Sequence, residues 1–443
     1  MTHFLAPSNK KAKSDLPDIL TFPIGHRALR TTLGNMMHAA CLSGVRGIVL
    51  APRARRGSRP AARSVAPVRA SRDVRGLDSN YDGHGLTILV TGGATGIGLE
   101  ACKQLYVAGC RVLVAARSAE KARSAVDIIT SEPGAGSAEP VVLDLANLQS
   151  VRACAATVVR SGTRLGALVC NAGVAPDRAG NRVSALGAPR RTADGFEETV
   201  GVNYLGHFAL VLALVPVLGP GTRVVITSSC VHDAESPDGR NGSPPTLGDL
   251  SGLASGRDFD MCDGGEFDGN KAYKDSKLCG VLFARELARR LRDVGATCNA
   301  FSPGFVPTSG LFRHQSAPVR AMLRFAFDHP PLATSMKNAG LFTTHMVLGR
   351  EPGATTGAYY CGPPSYTREG ENHVGGFVRG WLEPEFGVKE PGVEARDDDL
   401  ARRLWRLSEE LVGERWPTSD RFRNNVAAAS PSPDAKTVPT TPR

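Results

Sequence analysis

Thr87-Ile-Leu-Val-Thr-Gly-Gly-Ala-Thr-Gly-Ile-Gly98 sets an apolar run directly against a turn that carries glycine at positions 92, 93, 96 and 98. Such a run reads as a strand, and the apolar spacing beyond it, over 96–109, reads as a helix. A strand that enters a glycine turn and leaves as a helix brings bare backbone and the positive helix end against a phosphate. Glycine is needed where the turn is tight and where the ligand meets main chain. The motif is short, but its position between strand and helix is the context that gives it meaning.

The same alternation continues outward. Strands are expected at 87–91, 111–115, 141–143, 167–170, 223–227 and 297–301, with helices at 96–109, 118–130, 148–161 and 197–217 and another around Tyr273. Alternating strands and helices imply a parallel sheet covered on both faces. The expected fold is α/β: one doubly wound domain over 84–415, with irregular insertions at 175–192, 231–270 and 309–331.

The remaining sequence bounds the function. Residues 1–72 hold 13 Lys+Arg against 2 Asp+Glu, and the rest of the chain holds 40 against 41. The net charge of +10 therefore belongs to the N-terminus and gives no basis for a nucleic-acid partner. Between residues 19 and 72 there are ten arginines and no acid, interspersed with Ser, Ala and Pro. That composition reads as an organelle transit peptide within a disordered arm over 1–80, or as a plain basic arm. The tail at 420–443 lacks apolar periodicity and is expected to be disordered. Ten cysteines without Cys-x-x-Cys pairs or histidine clusters point to a reducing compartment and to no metal site. The run at 208–218 is too short to span a bilayer and reads as a core helix.

Chemistry concentrates where strands end. Thr91, Gly92, Thr95, Gly96, Ile97 and Gly98 form the first turn, and Arg117 with Lys121 follows the second strand. Two cations beside a helix start suit a ribose 2′-phosphate, so NADPH is expected over NADH, a solvated surface pair being the alternative. Asp144 and Leu145 close the third strand, and Asn171-Ala-Gly173 the fourth, where a plain turn is the other reading. Far downstream, Tyr273 and Lys277 stand four residues apart. On a helix they share a face about 6 Å apart along the axis, so the ammonium is expected to lower the phenol pKa and make Tyr273 a proton donor.

In order along the chain, Thr91-Gly-x-x-x-Gly-x-Gly98, Asn171-Ala-Gly173, Asn203, Ser229, Tyr273-x-x-x-Lys277 and Pro303-Gly304 resemble the short-chain dehydrogenase/reductase family. The resemblance implies a Rossmann fold, with Pro303 and Gly304 beside the cofactor. It implies Tyr273 as proton donor and Lys277 as its partner on the nicotinamide ribose. Ser229 would be an orienting hydroxyl and Asn203 the support of a water-linked proton relay. Within that family, Leu247-Gly-Asp-Leu-Ser-Gly-Leu253, Asp263-Gly-Gly-Glu-Phe-Asp-Gly269, Lys271-Ala-Tyr-Lys-Asp-Ser-Lys-Leu-Cys279 and the final helix at 399–413 resemble the light-dependent protochlorophyllide oxidoreductases. So does the long insertion between Ser229 and Tyr273. This implies NADPH, a tetrapyrrole substrate, photochemistry and a chloroplast location, and leaves peripheral membrane association and oligomerisation open. Cys279 matches a substrate-pocket cysteine of those enzymes, whereas Phe305 stands where they carry another. A light-independent reductase of carbonyl or retinol-type substrates is the alternative.

Overall fold

The structure, a computed structural model, describes residues 75–78, 80–175, 188–306, 334–362 and 385–417. The basic segment 1–72, the tail 420–443, most of the insertion 175–192 and all of 309–331 lie outside them. The elements run β1 (Thr87–Thr91), α1 (Gly96–Val107), β2 (Arg111–Ala116), α2 (Ala119–Thr130), β3 (Ser137–Val142), α3 (Leu148–Arg160) and β4 (Ala167–Cys170). They continue as α4 (Glu198–Val217), β5 (Arg223–Thr227), α5 (Gly269–Arg290), β6 (Thr297–Ser302), α6 (Met336–Leu348), β7 (Tyr359–Cys361), β8 (Gly387–Lys389) and α7 (Asp398–Val412).

One eight-stranded sheet has the order β3-β2-β1-β4-β5-β6-β7-β8, parallel throughout except for the antiparallel edge strand β8. The α/β expectation holds, and the helices lie on both faces. Side chains alternate across the sheet: Ile88 and Val90 enter one buried cluster with Leu105, Ile129 and Phe342, while Leu89 enters the other with Val151, Phe208 and Leu282. Burial on both faces is why the central strands read as unbroken apolar runs.

Strand β3 departs from expectation. It spans Ser137–Val142 rather than 141–143. As an edge strand it pairs with β2 alone, so Pro140 is tolerated there, and its opening residues, Ser137 to Pro140, carry no apolar run to mark it. The folded body also begins earlier than residue 84. Arg75 O accepts from Phe386 N at 2.9 Å, Leu77 packs against the cluster around Phe342, and Tyr81 is buried. Residues 75–78, expected within the arm, therefore belong to the folded body.

Helix α4 is long and apolar enough to cross a membrane by length and composition, although most of it is buried between the sheet, α3 and α5. Gly201–Leu205 within it is a π-turn, and a Cβ at Gly206 would lie 2.5 Å from Leu145 O. Helix α7 lays Leu400, Leu404, Trp405 and Leu411 into the same core. Trp405 packs against Phe208 at 4.8 Å between ring centroids, and Tyr204 Oη lies 2.7 Å from Ser408 Oγ.

Candidate active site

The sheet order reverses between β1 and β4, and a cavity of about 820 Å³ opens there, beyond the C-terminal ends of the strands. That is where open α/β sheets bind ligands. Gly92 and Gly96 take φ of 66° and 58°, the left-handed region. A Cβ at Gly98 would sit 2.3 Å from Gly92 O and 2.6 Å from Asn171 Nδ2. Side chains are excluded so that main chain borders the cavity, the cradle a pyrophosphate needs. Thr95 caps α1 without spending its hydroxyl on the helix, which leaves that group for a ligand.

Thr91 ties the first turn to the fourth. Its Oγ1 accepts from Asn171 N at 2.9 Å and Ala172 N at 3.0 Å, while Asn171 Nδ2 donates to Thr91 O at 2.9 Å. His207 backs this network, with Nε2 2.9 Å from Thr91 Oγ1 and Nδ1 3.1 Å from Asn203 O. Burial holds the His207 pKa down at about 4, so the ring is neutral and carries its proton on Nδ1. The sequence reading missed His207. It stands four residues past Asn203 and meets that residue's carbonyl.

At the second strand, Arg117 and Lys121 border the cavity, are exposed, and take no carboxylate partner among the described residues. Asp144 and Leu145 border it from β3, Asn171, Ala172 and Gly173 from β4, and Pro303, Gly304 and Phe305 from β6. Thus each cofactor-side residue expected from the sequence faces one space.

The catalytic candidates divide. Ser229, Tyr273 and Lys277 border the cavity. Asp268 caps α5 by accepting from Asn270 N and Lys271 N, which fixes the start of the helix carrying Tyr273. Ser228, beside Ser229, turns away to donate to Lys277 O at 2.8 Å. Lys277 Nζ donates to Thr227 O at 3.1 Å and lies 5.5 Å from the Tyr273 ring centroid. The expected lowering of the Tyr273 pKa is not found. Burial, with a smaller contribution from Cys230, pushes the phenol above its ordinary value. Burial also brings Lys277 down from 10.5 to about 8. The ammonium lies over the ring and is itself desolvated, so it does not offset the burial of the hydroxyl.

Two residues belong elsewhere. Asn203 does not border the cavity: its Oδ1 accepts from Val174 N at 2.7 Å, and its Nδ2 donates to Val174 O at 2.9 Å and Ser276 Oγ at 3.0 Å. With its amide committed and its carbonyl facing His207, it joins the fourth turn to α5 and does not reach the expected relay. Cys279 is wholly buried in the core beside Cys262, away from the cavity. Two residues past Lys277 is about 200° around a helix, which is the signal that should have excluded it.

Residues 86–239 match the family model described as short chain dehydrogenase. Protochlorophyllide reductase B, chloroplastic, of Oryza sativa subsp. japonica is 35% identical over 348 residues, covering 74% of this chain and 77% of that one. Protochlorophyllide reductase of Avena sativa is 34% identical over 344 residues, 74% of this chain and 99% of that one. The chain belongs to the short-chain dehydrogenase/reductase family. Its Chlamydomonas reinhardtii relative, protochlorophyllide reductase, chloroplastic, is 34% identical over 336 residues, 74% of this chain and 78% of that one. Among solved structures, an uncharacterized protein from Mycobacterium paratuberculosis shares the fold, with a TM-score of 0.53 and 24% identity over 76% of this chain and 97% of that one. The enzyme is accordingly an NAD(P)-dependent oxidoreductase.

Proposed function

We propose that this enzyme uses NADPH to reduce protochlorophyllide to chlorophyllide in plastids, in a step that requires light. The observation that carries the reading is the cavity. One end is bare glycine backbone with Arg117 and Lys121, its centre holds Ser229, Tyr273 and Lys277, and its far wall is built by the insertion at 231–270. That wall gives a large flat substrate a second surface opposite the nicotinamide position. The named relatives, each alike over about three quarters of this chain, support the same substrate.

When bound, NADPH supplies the hydride to one carbon of a ring double bond. The chain's residues do the rest. Arg117 and Lys121 attract the 2′-phosphate, and the Thr91 network holds the glycine turn. Tyr273 keeps its phenolic proton to high pH and delivers it to the second carbon. Lys277 binds the nicotinamide ribose, and Ser229 orients the reacting edge. Asn203 holds Ser276, whose Oγ donates to Tyr273 O at 2.6 Å, so it acts by positioning α5.

From Arg117 and Lys121, kcat/KM with NADPH is expected to exceed that with NADH by about tenfold or more, the value of one charge-assisted phosphate contact. Equal values would reject the cofactor assignment. Residues 1–74 fused to a reporter are expected to direct it to plastids, and a cytosolic reporter would count against that location. A second reading, light-independent reduction of a carbonyl or retinoid-like substrate, is favoured by Phe305, an apolar ring bordering the cavity. The deciding measurement is absorbance after mixing enzyme, NADPH and protochlorophyllide, with and without a flash. Chlorophyllide formed only after light supports the leading reading, and none in either case sinks it.

A further inference from the structure

Lys274 follows Tyr273 on α5 and turns away from it into the insertion. Its Nζ donates to three main-chain carbonyls, Gly239 O at 2.8 Å, Asn241 O at 2.6 Å and Ser243 O at 2.9 Å. An ammonium has three protons, so the group is saturated and, at 6% exposed, closed to solvent. The carbonyls come from alternate residues of one strap, 239–243, which gathers around the lysine as it would around a bound cation. A Cβ at Gly239 would lie 1.9 Å from Asp233 O, and Gly242 takes φ of 76°. Ser243 Oγ donates to Asp268 Oδ2 at 2.6 Å, fastening the strap to the N-cap of α5.

Between these anchors Asn241, Gly242 and Ser243 border the cavity, with Asn270 beside them. The side-chain amides of Asn241 and Asn270 make no hydrogen bond among the described residues, although both border the cavity. Asp238 and Asp268 stand against the two cations Lys274 and Arg240, so this end has no net charge to draw an ion. Free amides in such a setting suit a neutral acceptor.

We propose that the strap 239–243, stapled to the catalytic helix by Lys274, is a substrate subsite that receives an uncharged carbonyl edge, a ketone or ester, against the Asn241 amide. The inference rests on the reading of this cavity as the substrate site. Lys274 is a positioning residue, and Asn241 makes the contact.

Arg240, exposed within the strap, gives a local probe. In native enzyme with NADPH, Lys274→Met is expected to speed tryptic cleavage after Arg240 by about tenfold or more, because three carbonyls of the strap lose the donor that holds them together. Asn241→Ala should leave that rate unchanged. Dark fluorescence titration with protochlorophyllide should show both variants binding about tenfold more weakly, with NADPH affinity kept within about twofold. For a pigment analogue lacking the ring ketone and ester carbonyls, the Asn241→Ala penalty should vanish. Unchanged cleavage in Lys274→Met overturns the staple. Unchanged pigment affinity in Asn241→Ala, or an equal penalty with the analogue, overturns the subsite, as does a wild type that does not bind pigment. A wild type that binds pigment in the dark but forms no chlorophyllide after a flash fails the proposed function alone.

Discussion

Tyr273→Phe is expected to lower turnover by about 10² or more while NADPH binding stays within about twofold. The substitution removes one hydroxyl and keeps the ring that Lys277 Nζ approaches at 5.5 Å, so the cofactor side of the cavity keeps its shape. The phenol is pushed above its ordinary pKa by burial, so in the wild type it holds its proton at every physiological pH. What changes in the variant is the supply of that proton to the second reacting carbon. Single-turnover absorbance after a flash, alongside NADPH titration, separates the two effects. A near-normal rate would reject Tyr273 as the donor, and a parallel loss of NADPH affinity would assign the residue to binding instead.

What could be read in the chain beforehand follows from how locally each feature is determined. The unit from Thr87 to Val107 was legible because strand, glycine turn and helix are contiguous, and each of Gly92, Gly96 and Gly98 answers a backbone requirement visible in the motif. Edge elements were not. β3 pairs on one side only, while β7 and β8 have three residues each, so none carries the apolar run by which central strands are known. Helix α6 escaped notice because its packing is set by α1, where a Cβ at Gly340 would lie 2.6 Å from Glu100 Cγ. Site residues split along the same line. Tyr273 and Lys277 share a helix face, but Cys279 was assigned by resemblance to a family cysteine and lies buried in the core on the opposite face. Lys274 and His207 act through carbonyls and a hydroxyl more than 30 residues away, and no spacing in the sequence announces either contact.

Lys277→Met is expected to reduce turnover by about 10² or more and at the same time to stabilise the fold by about 1–3 kcal/mol below pH 8. The loss of activity follows from removing the charge beside Tyr273 and the donor for the nicotinamide ribose. The gain follows from burial. Lys277 is 6% exposed, makes one hydrogen bond, to Thr227 O, and has no carboxylate partner among the described residues. Its folded pKa of about 8 lies below its ordinary 10.5, so the folded state binds this proton less tightly than the unfolded chain. The destabilisation is therefore fully present below about pH 8, where both states are protonated. It fades between 8 and 10.5 as the unfolded chain comes to lose the same proton, and above that it is gone. Urea unfolding of cofactor-free wild type and variant at pH 7 and pH 10 tests the sign: the stability difference should be larger at pH 7. The wild-type rate should also fall as pH rises through about 8, where Lys277 loses its charge. A variant less stable at pH 7, or a stability difference that grows with pH, would mean that the buried ammonium supports the fold, and the destabilising burial argued for Lys277 would be wrong.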